Sequence, residues 1–296
     1  MWDENGGEAL SVIVITYNEE DDIARCLESV SWADEIVVVD SGSVDRTCEI
    51  AREYTDSVLE REFTDFSDQR EFAAARCRND WVLSIDADEF ISSELRCEIE
   101  AAVSGGRCGA CAYYLPEATY IFGGWLRHGS GNPDYHIRLY RRSKGRWQGV
   151  VHERVVTEGS IGFLDNPILH YSCQDIASFV ASMNSYTSLE AELTEQRPEQ
   201  LVRRLCLRPV KMFVNSFILQ AGYLDGERGL IVSTLGATHE FLRWAKILVK
   251  FNLDAAGDRA PAFGPTLRIR LMRWLMKKGL IFRHPGAPPG ETRGTA

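Results

Sequence analysis

No stretch of this chain offers about 18 uninterrupted apolar residues, the length a membrane-spanning helix needs. The nearest approach, Val210 to Leu224, is broken by Lys211, Asn215 and Gln220. The opening MWDENGGEAL has neither a basic region nor an apolar core, so no secretory signal is expected there. These absences predict a cytoplasmic protein that touches a membrane without crossing it. A basic balance is missing too. The net charge is −10, which argues against nucleic acid as a partner. No G-x-G-x-x-G follows the first apolar run, which counts against a dinucleotide oxidoreductase. The same turn lacks the Gly-rich, Lys- or Arg-bearing loop that a nucleotidyltransferase needs. Of eight cysteines only Cys108 and Cys111 lie close together, and no second pair completes a zinc site. Reduced thiols serving as small apolar residues are the expectation.

What is present is an alternation. Leu10 to Thr16 (LSVIVIT) is β-branched and apolar on both faces, as a buried parallel strand is. A helix carrying Ile23, Leu27 and Val30 on one face follows. Glu35 to Asp40 (EIVVVD) is a second buried strand, and Ser57 to Glu60 a third. Short helices fit Asp45 to Tyr54 and Phe66 to Arg78. Trp81 to Ile85 is a fourth strand that runs into Asp86-Ala87-Asp88-Glu89. Strands alternating with helices predict an α/β fold with a mainly parallel sheet flanked by helices. Ligands of such sheets sit beyond the carboxyl ends of the strands. That is where Thr16-Tyr17-Asn18, Asp40 and Asp86-Ala87-Asp88 fall.

Further along, a helix is predicted over 92–104 and strands at Ala110–Leu115, Tyr135–Arg141 and Val150–Thr157. Phe122 to Asp134 reads as a long functional loop. From Asp175 the chain is mostly helical. Three regions are therefore expected: 8–173 catalytic, 174–253 helical, and 254–296 a basic amphipathic helix with a Pro/Gly-rich tail. From Arg259 to His284 there are seven Lys/Arg and no Asp or Glu, and Leu267–Phe282 mixes them with Leu, Ile, Met and Trp. Such a helix suits an anionic membrane surface.

Two carboxylates at i and i+2 of an extended segment point the same way. At a strand end beside a diphosphate, Asp86 and Asp88 suit a hard divalent ion. Glu89 is expected to cap the following helix. Asp40 is placed either to accept a hydrogen bond from a base or ribose, or to close its own turn.

Together, Thr16-Tyr17-Asn18-Glu19, Val38-Val39-Asp40-Ser41-Gly42-Ser43 with Asp45-Arg46-Thr47, and Trp81 through Asp86-Ala87-Asp88-Glu89 resemble the inverting family 2 glycosyltransferases of the Rossmann-like GT-A fold. The likeness is closest to the branch that includes bacterial lipopolysaccharide-core glucosyltransferases. It implies a sugar transfer from a nucleotide-diphosphate donor, a UDP-sugar, to a glycolipid or saccharide acceptor, with Mn2+ or Mg2+ as cofactor. It also implies roles. Thr16, Tyr17, Asn18, Asp40, Arg70, Asp86 and Arg138 would contact the donor. Asp88 and Asp86 would hold the metal, with His170 completing its shell. Where the family commonly has Asn after the basic residue, this chain has Glu71. An inverting transfer needs a carboxylate base near the acceptor hydroxyl. In Trp147-x-Gly149-x-x-His152-Glu153 the candidate is Glu153, with Asp134 in reserve. The competing readings are an inactive nucleotide-sugar or membrane-surface binding module, and a peptide glycosyltransferase.

Overall fold

The computed structural model describes residues 8–105, 109–129, 134–149, 153–172 and 175–253, with Asn252 and Leu253 described by backbone alone. Cys108, His152 and the basic segment with its tail at 254–296 lie outside the described residues. The chain divides into two compact units, Met1–Lys250 and Phe251–Ala296. The boundary expected at 173/174 falls inside the first unit.

The alternation read from the sequence is observed. Strand β1 (Leu10–Thr16) leads to helix α1 (Ile23–Ser29), β2 (Glu35–Asp40), α2 (Thr47–Ala51), β3 (Val58–Glu60), α3 (Phe66–Ala74) and β4 (Trp81–Asp86). All four strands pair in parallel, in the order β3-β2-β1-β4. Val12 and Val14 enter one core layer with Leu27, Leu83, Ile85 and Ile99, while Ile13 enters the other with Val39, Val82, Ala73 and Tyr140. Both faces are covered, so apolar residues at successive positions are all buried. Burying one such side chain fully contributes about 1.5–3 kcal/mol. The polar residues at the strand ends therefore stand on a stiff base.

Beyond β4 the sheet becomes mixed. It continues through β5 (Glu89–Phe90), α4 (Ser93–Val103), β6 (Ala112–Ile121), β7 (Gly124–Trp125) and β8 (Asp134–Arg141). The hairpin β9 (Gly145–Gln148) and β10 (Arg154–Thr157) stands off it, and β11 (Ile161–Phe163) and β12 (Ile168–Tyr171) rejoin it. Strand β8 runs antiparallel to β4, with Leu83 opposite Leu139. That reversal delivers the side chain of Arg138 to the carboxyl end of β4.

Three helices follow: α5 (Ile176–Leu193), α6 (Leu201–Phe213) and α7 (Gly226–Leu253). A π-helical stretch, Val214–Leu219, and a 3-10 turn, Gly222–Asp225, join α6 to α7. Asp175 caps α5 by accepting from Ser178 N–H at 2.9 Å. The turn crosses α7 closely, and a Cβ on Gly229 would lie 1.8 Å from the Gly222 carbonyl oxygen. Only glycine fits there.

Asp225 ties the helices to the sheet. Its carboxylate accepts from Arg127 N–H at 3.0 Å, His128 N–H at 2.8 Å and His128 Nδ1 at 3.0 Å. Burial works to raise its pKa, but these donors outweigh burial and hold it below the usual carboxylate value. A depressed folded-state pKa means stability that is present above the unfolded value and is lost as pH falls through the folded one. Asp225→Asn should therefore lower the urea midpoint at pH 7 by the equivalent of about 1–3 kcal/mol. The deficit should shrink once pH drops below about 4. Equal midpoints at pH 7 would remove the tether.

Candidate active site

One cavity of about 1540 Å³ opens at the carboxyl ends of β1 and β4. Its walls come from the sheet, from the β9–β10 hairpin and from helices α5 and α7. Eight of the residues singled out from the sequence line it: Thr16, Tyr17, Arg70, Asp86, Asp88, Arg138, Glu153 and His170.

Asp86 is held between two arginines. Arg70, from the inner face of α3, donates from Nη2 to Asp86 Oδ1 at 2.7 Å and from Nη1 to Ser84 Oγ at 2.8 Å. Its guanidinium lies 4.8 Å from the Trp147 ring centroid. Arg138 Nη2 lies 3.5 Å from Asp86 Oδ2 and donates to Glu89 Oε1 at 2.8 Å. Burial pushes the Asp86 carboxyl up, but the two guanidinium groups outweigh it and hold its pKa down at about 2. Charge on Asp86 is thus built into the fold.

Glu89 does not cap α4. Ser92 does, accepting from Leu95 N–H at 3.2 Å. Residue alternation in β5 turns Glu89 inward, where it is 2% exposed and accepts from Asp86 N–H at 2.8 Å. Burial, helped by Asp86 and Glu117 and opposed by Arg138, pushes its pKa up to about 7.

Asp88 faces His170 across the cavity floor, with Oδ2 3.0 Å from Nε2. The other ring nitrogen, Nδ1, lies 2.7 Å from Glu117 Oε1. Burial disfavours a charged ring, but the two carboxylates outweigh it and raise the His170 pKa well above its ordinary value. Among the described residues, ligand-type atoms of Glu89, Glu117 and His170 gather within 4.8 Å of one another. Glu89 already serves Arg138 and the Asp86 backbone. Asp88 and His170 both line the cavity, so they are the better-placed pair for a divalent ion. A carboxylate oxygen with an imidazole nitrogen suits Mn2+, and the added oxygen of Asp86 suits Mg2+.

Glu117 was not foreseen from the sequence. Fixing one imidazole nitrogen on a carboxylate leaves the other in the form that binds metal. Glu117→Gln should weaken Mn2+ binding about 10- to 100-fold with the fold intact. Titration of Mn2+ followed by electron paramagnetic resonance reads this directly, and unchanged affinity would deny Glu117 that role.

Glu153 sits 3.5 Å from Arg70 Nη2 with its side chain 17% exposed. It opens on the same cavity as Asp88. Glu71, the departure from the family pattern, accepts from Trp147 N–H and so anchors β9 below Glu153. Three residues are placed elsewhere. Asn18, at φ +54°, receives Val44 N–H at 2.9 Å and gives its own N–H to Ser43 Oγ at 2.8 Å. Asp40 is 1% exposed and uses both carboxylate oxygens on its own turn, accepting from Gly42 N–H, Ser43 N–H and Ser43 Oγ. Both residues shape the loops beside Thr16 and do not line the cavity. Asp134 pairs with His136 at 3.2 Å and is half exposed at the start of β8. Glu19, part of the quoted motif but given no role, does line the cavity. Burial, joined by Asp88, Asp22, Asp45 and Asp86, pushes its pKa up to about 8. Tyr186 of α5, stacked on Phe66 at 6.1 Å, completes the far wall.

The sequence profile of Glycosyl transferase family 2 matches residues 11–150. An uncharacterized glycosyltransferase of Rickettsia typhi is 31% identical over 80% of this chain and 86% of its own length. This chain belongs to glycosyl transferase family 2. The α/β architecture expected from the sequence, a sheet flanked by helices with further helices toward the C-terminus, is the one observed. A second relative in the family, the lipopolysaccharide core biosynthesis glycosyltransferase LpsC of Rhizobium meliloti, is 28% identical over 83% of this chain and 94% of its own. Among solved structures, glucosyl-3-phosphoglycerate synthase from Mycobacterium tuberculosis, crystallised with Mg2+ and UDP, is 22% identical at a TM-score of 0.32. That match spans 39% of this chain and less than half, 44%, of the other.

Proposed function

We propose that this family 2 member is an inverting hexosyltransferase that takes its sugar from a UDP-sugar. Its acceptor is a cell-envelope glycolipid or lipopolysaccharide-core saccharide, met at the cytoplasmic face of the plasma membrane. One observation carries the reading: a carboxylate–imidazole pair, Asp88 and His170, shares a cavity with an arginine-braced carboxylate, Asp86, and a further carboxylate, Glu153. The relationship to LpsC supports the acceptor class.

Asp88, Asp86 and His170 would hold Mn2+ or Mg2+. Such an ion neutralises charge on a leaving diphosphate. Thr16 offers the donor a buried hydroxyl that has no partner among the described residues. Tyr17, more than half exposed, offers a ring face beside it. Arg70 and Arg138 keep Asp86 ionised and oriented. Glu153 accepts the proton of the acceptor O–H as that oxygen attacks the anomeric carbon. Attack opposite the leaving group in one displacement inverts the anomeric centre. Helix α5 shields the reaction from water with Tyr186 and Leu189.

Calorimetric titration of UDP and of GDP, each with and without Mn2+, tests the reading. UDP should bind in the presence of Mn2+ and lose most of its affinity without it. Absence of nucleotide binding under every condition would remove the donor site and leave a membrane-surface binding module.

A further inference from the structure

Helix α6 and the π-helical stretch after it form a continuous rod whose outer side is apolar. Leu207, Val210, Val214 and Ile218 recur at spacings of three and four residues, which places them on one face. All four are exposed, and Leu219 beside them is 73% exposed. The opposite side is packed. Ser216 Oγ meets Ser233 Oγ of α7 at 2.9 Å, and both residues are buried. The outward face is therefore a fixed ridge, roughly 18 Å long at the helical rise.

Charge says what the ridge meets. From Leu201 to Leu224 there are four basic residues, Arg203, Arg204, Arg208 and Lys211, and no Asp or Glu, in a chain whose net charge is −10. Arg203, Arg208 and Lys211 are exposed beside the apolar row. An apolar row flanked by cations on a largely acidic body complements an anionic lipid surface. No helix among the described residues is long and apolar enough to cross a membrane, so the contact lies along the surface.

We infer that the α6 ridge is a membrane-docking surface that seats this protein on anionic phospholipid. The inference rests on the membrane-side acceptor proposed above and names where that contact is made. The ridge also adjoins the 127–129 loop, since Gly129 N–H donates to the Gln220 carbonyl at 2.9 Å. Docking the ridge brings this loop to the lipid surface, which is where a lipid-borne acceptor is presented.

The test uses the full chain and vesicles of phosphatidylcholine, with or without roughly a third of phosphatidylglycerol, in a sedimentation assay. Wild type should partition onto the anionic vesicles and come off as salt shortens the screening length from about 10 to 3 Å. Arg203→Gln/Arg208→Gln/Lys211→Gln should weaken partitioning about 100-fold, near fivefold per cation. Leu207→Gln/Ile218→Gln/Leu219→Gln should weaken it at least about tenfold, with no recovery at low salt. Both triple variants should bind UDP with Mn2+ as wild type does, which separates this inference from the donor site. Wild type that ignores anionic vesicles, or ridge variants that partition like wild type, overturns it. So does a wild-type dimer that the ridge substitutions convert to monomer, because the partner is then a second copy of the chain.

Discussion

Asp88→Ala should abolish the proposed Mn2+-dependent UDP binding and lower sugar transfer by at least about 100-fold. The expectation follows from what Asp88 touches. Its carboxylate lies 3.0 Å from His170 Nε2, and that ring is fixed from behind by Glu117. Removing the carboxylate leaves one imidazole and Asp86 to hold a hard ion. Asp86 is already committed to Arg70 and Arg138. The two states of the experiment separate cleanly. Calorimetry without metal should show wild type and variant alike, and with Mn2+ only wild type should bind tightly. Equal affinities with Mn2+ would mean that the ion is held elsewhere, with Glu89, Glu117 and His170 the next set to test.

Glu153→Gln removes the proposed base and leaves the shape. Glutamine still reaches toward Arg70, so the hairpin should stay in place. Turnover should fall by about 10²–10⁴, the usual contribution of a general base, with UDP affinity and donor KM near wild type. A drop in both turnover and UDP affinity would instead describe a disturbed site. A variant within about fivefold of wild type would sink the assignment and turn attention to Asp134. Asp134 starts from a weaker position, because its carboxylate is half exposed and taken by His136.

The parallel half of the fold was legible because its strands announce themselves. Leu10–Thr16 and Glu35–Asp40 occupy the spans that their apolar runs predict. Asp86 and Asp88 follow directly from the end of the next run. What could not be read was anything set by strand direction. Nothing local in Tyr135–Arg141 says that β8 runs against β4, yet that direction is what brings Arg138 to Asp86 and Glu89. Glu117 was hidden for a different reason. Pro116 looks like the end of a strand, since it has no N–H for a ladder. Here β6 passes through it to Ile121 after a register shift at Tyr113/Tyr114. Of the two readings open for Asp40, the turn-closing one is seen in its bonds to Gly42 and Ser43. Glu89 was misjudged because an acid ahead of a helix looks like a cap, while burial inside β5 gave it another task.

The bracing of Asp86 bears on how such a chain can change over generations. Its partners come from three separate stretches: Arg70 on α3, Glu89 on β5 and Arg138 on β8. Losing one member of a buried pair costs about 3–5 kcal/mol, a large share of a domain's stability. A gene exchange with its crossover between β5 and β8 would join Arg70, Asp86 and Glu89 from one ancestor to Arg138 from another. The hybrid keeps this brace only if both ancestors carry matching charges across that joint. Exchange at this joint is therefore open only where an arginine on one side answers the two carboxylates on the other.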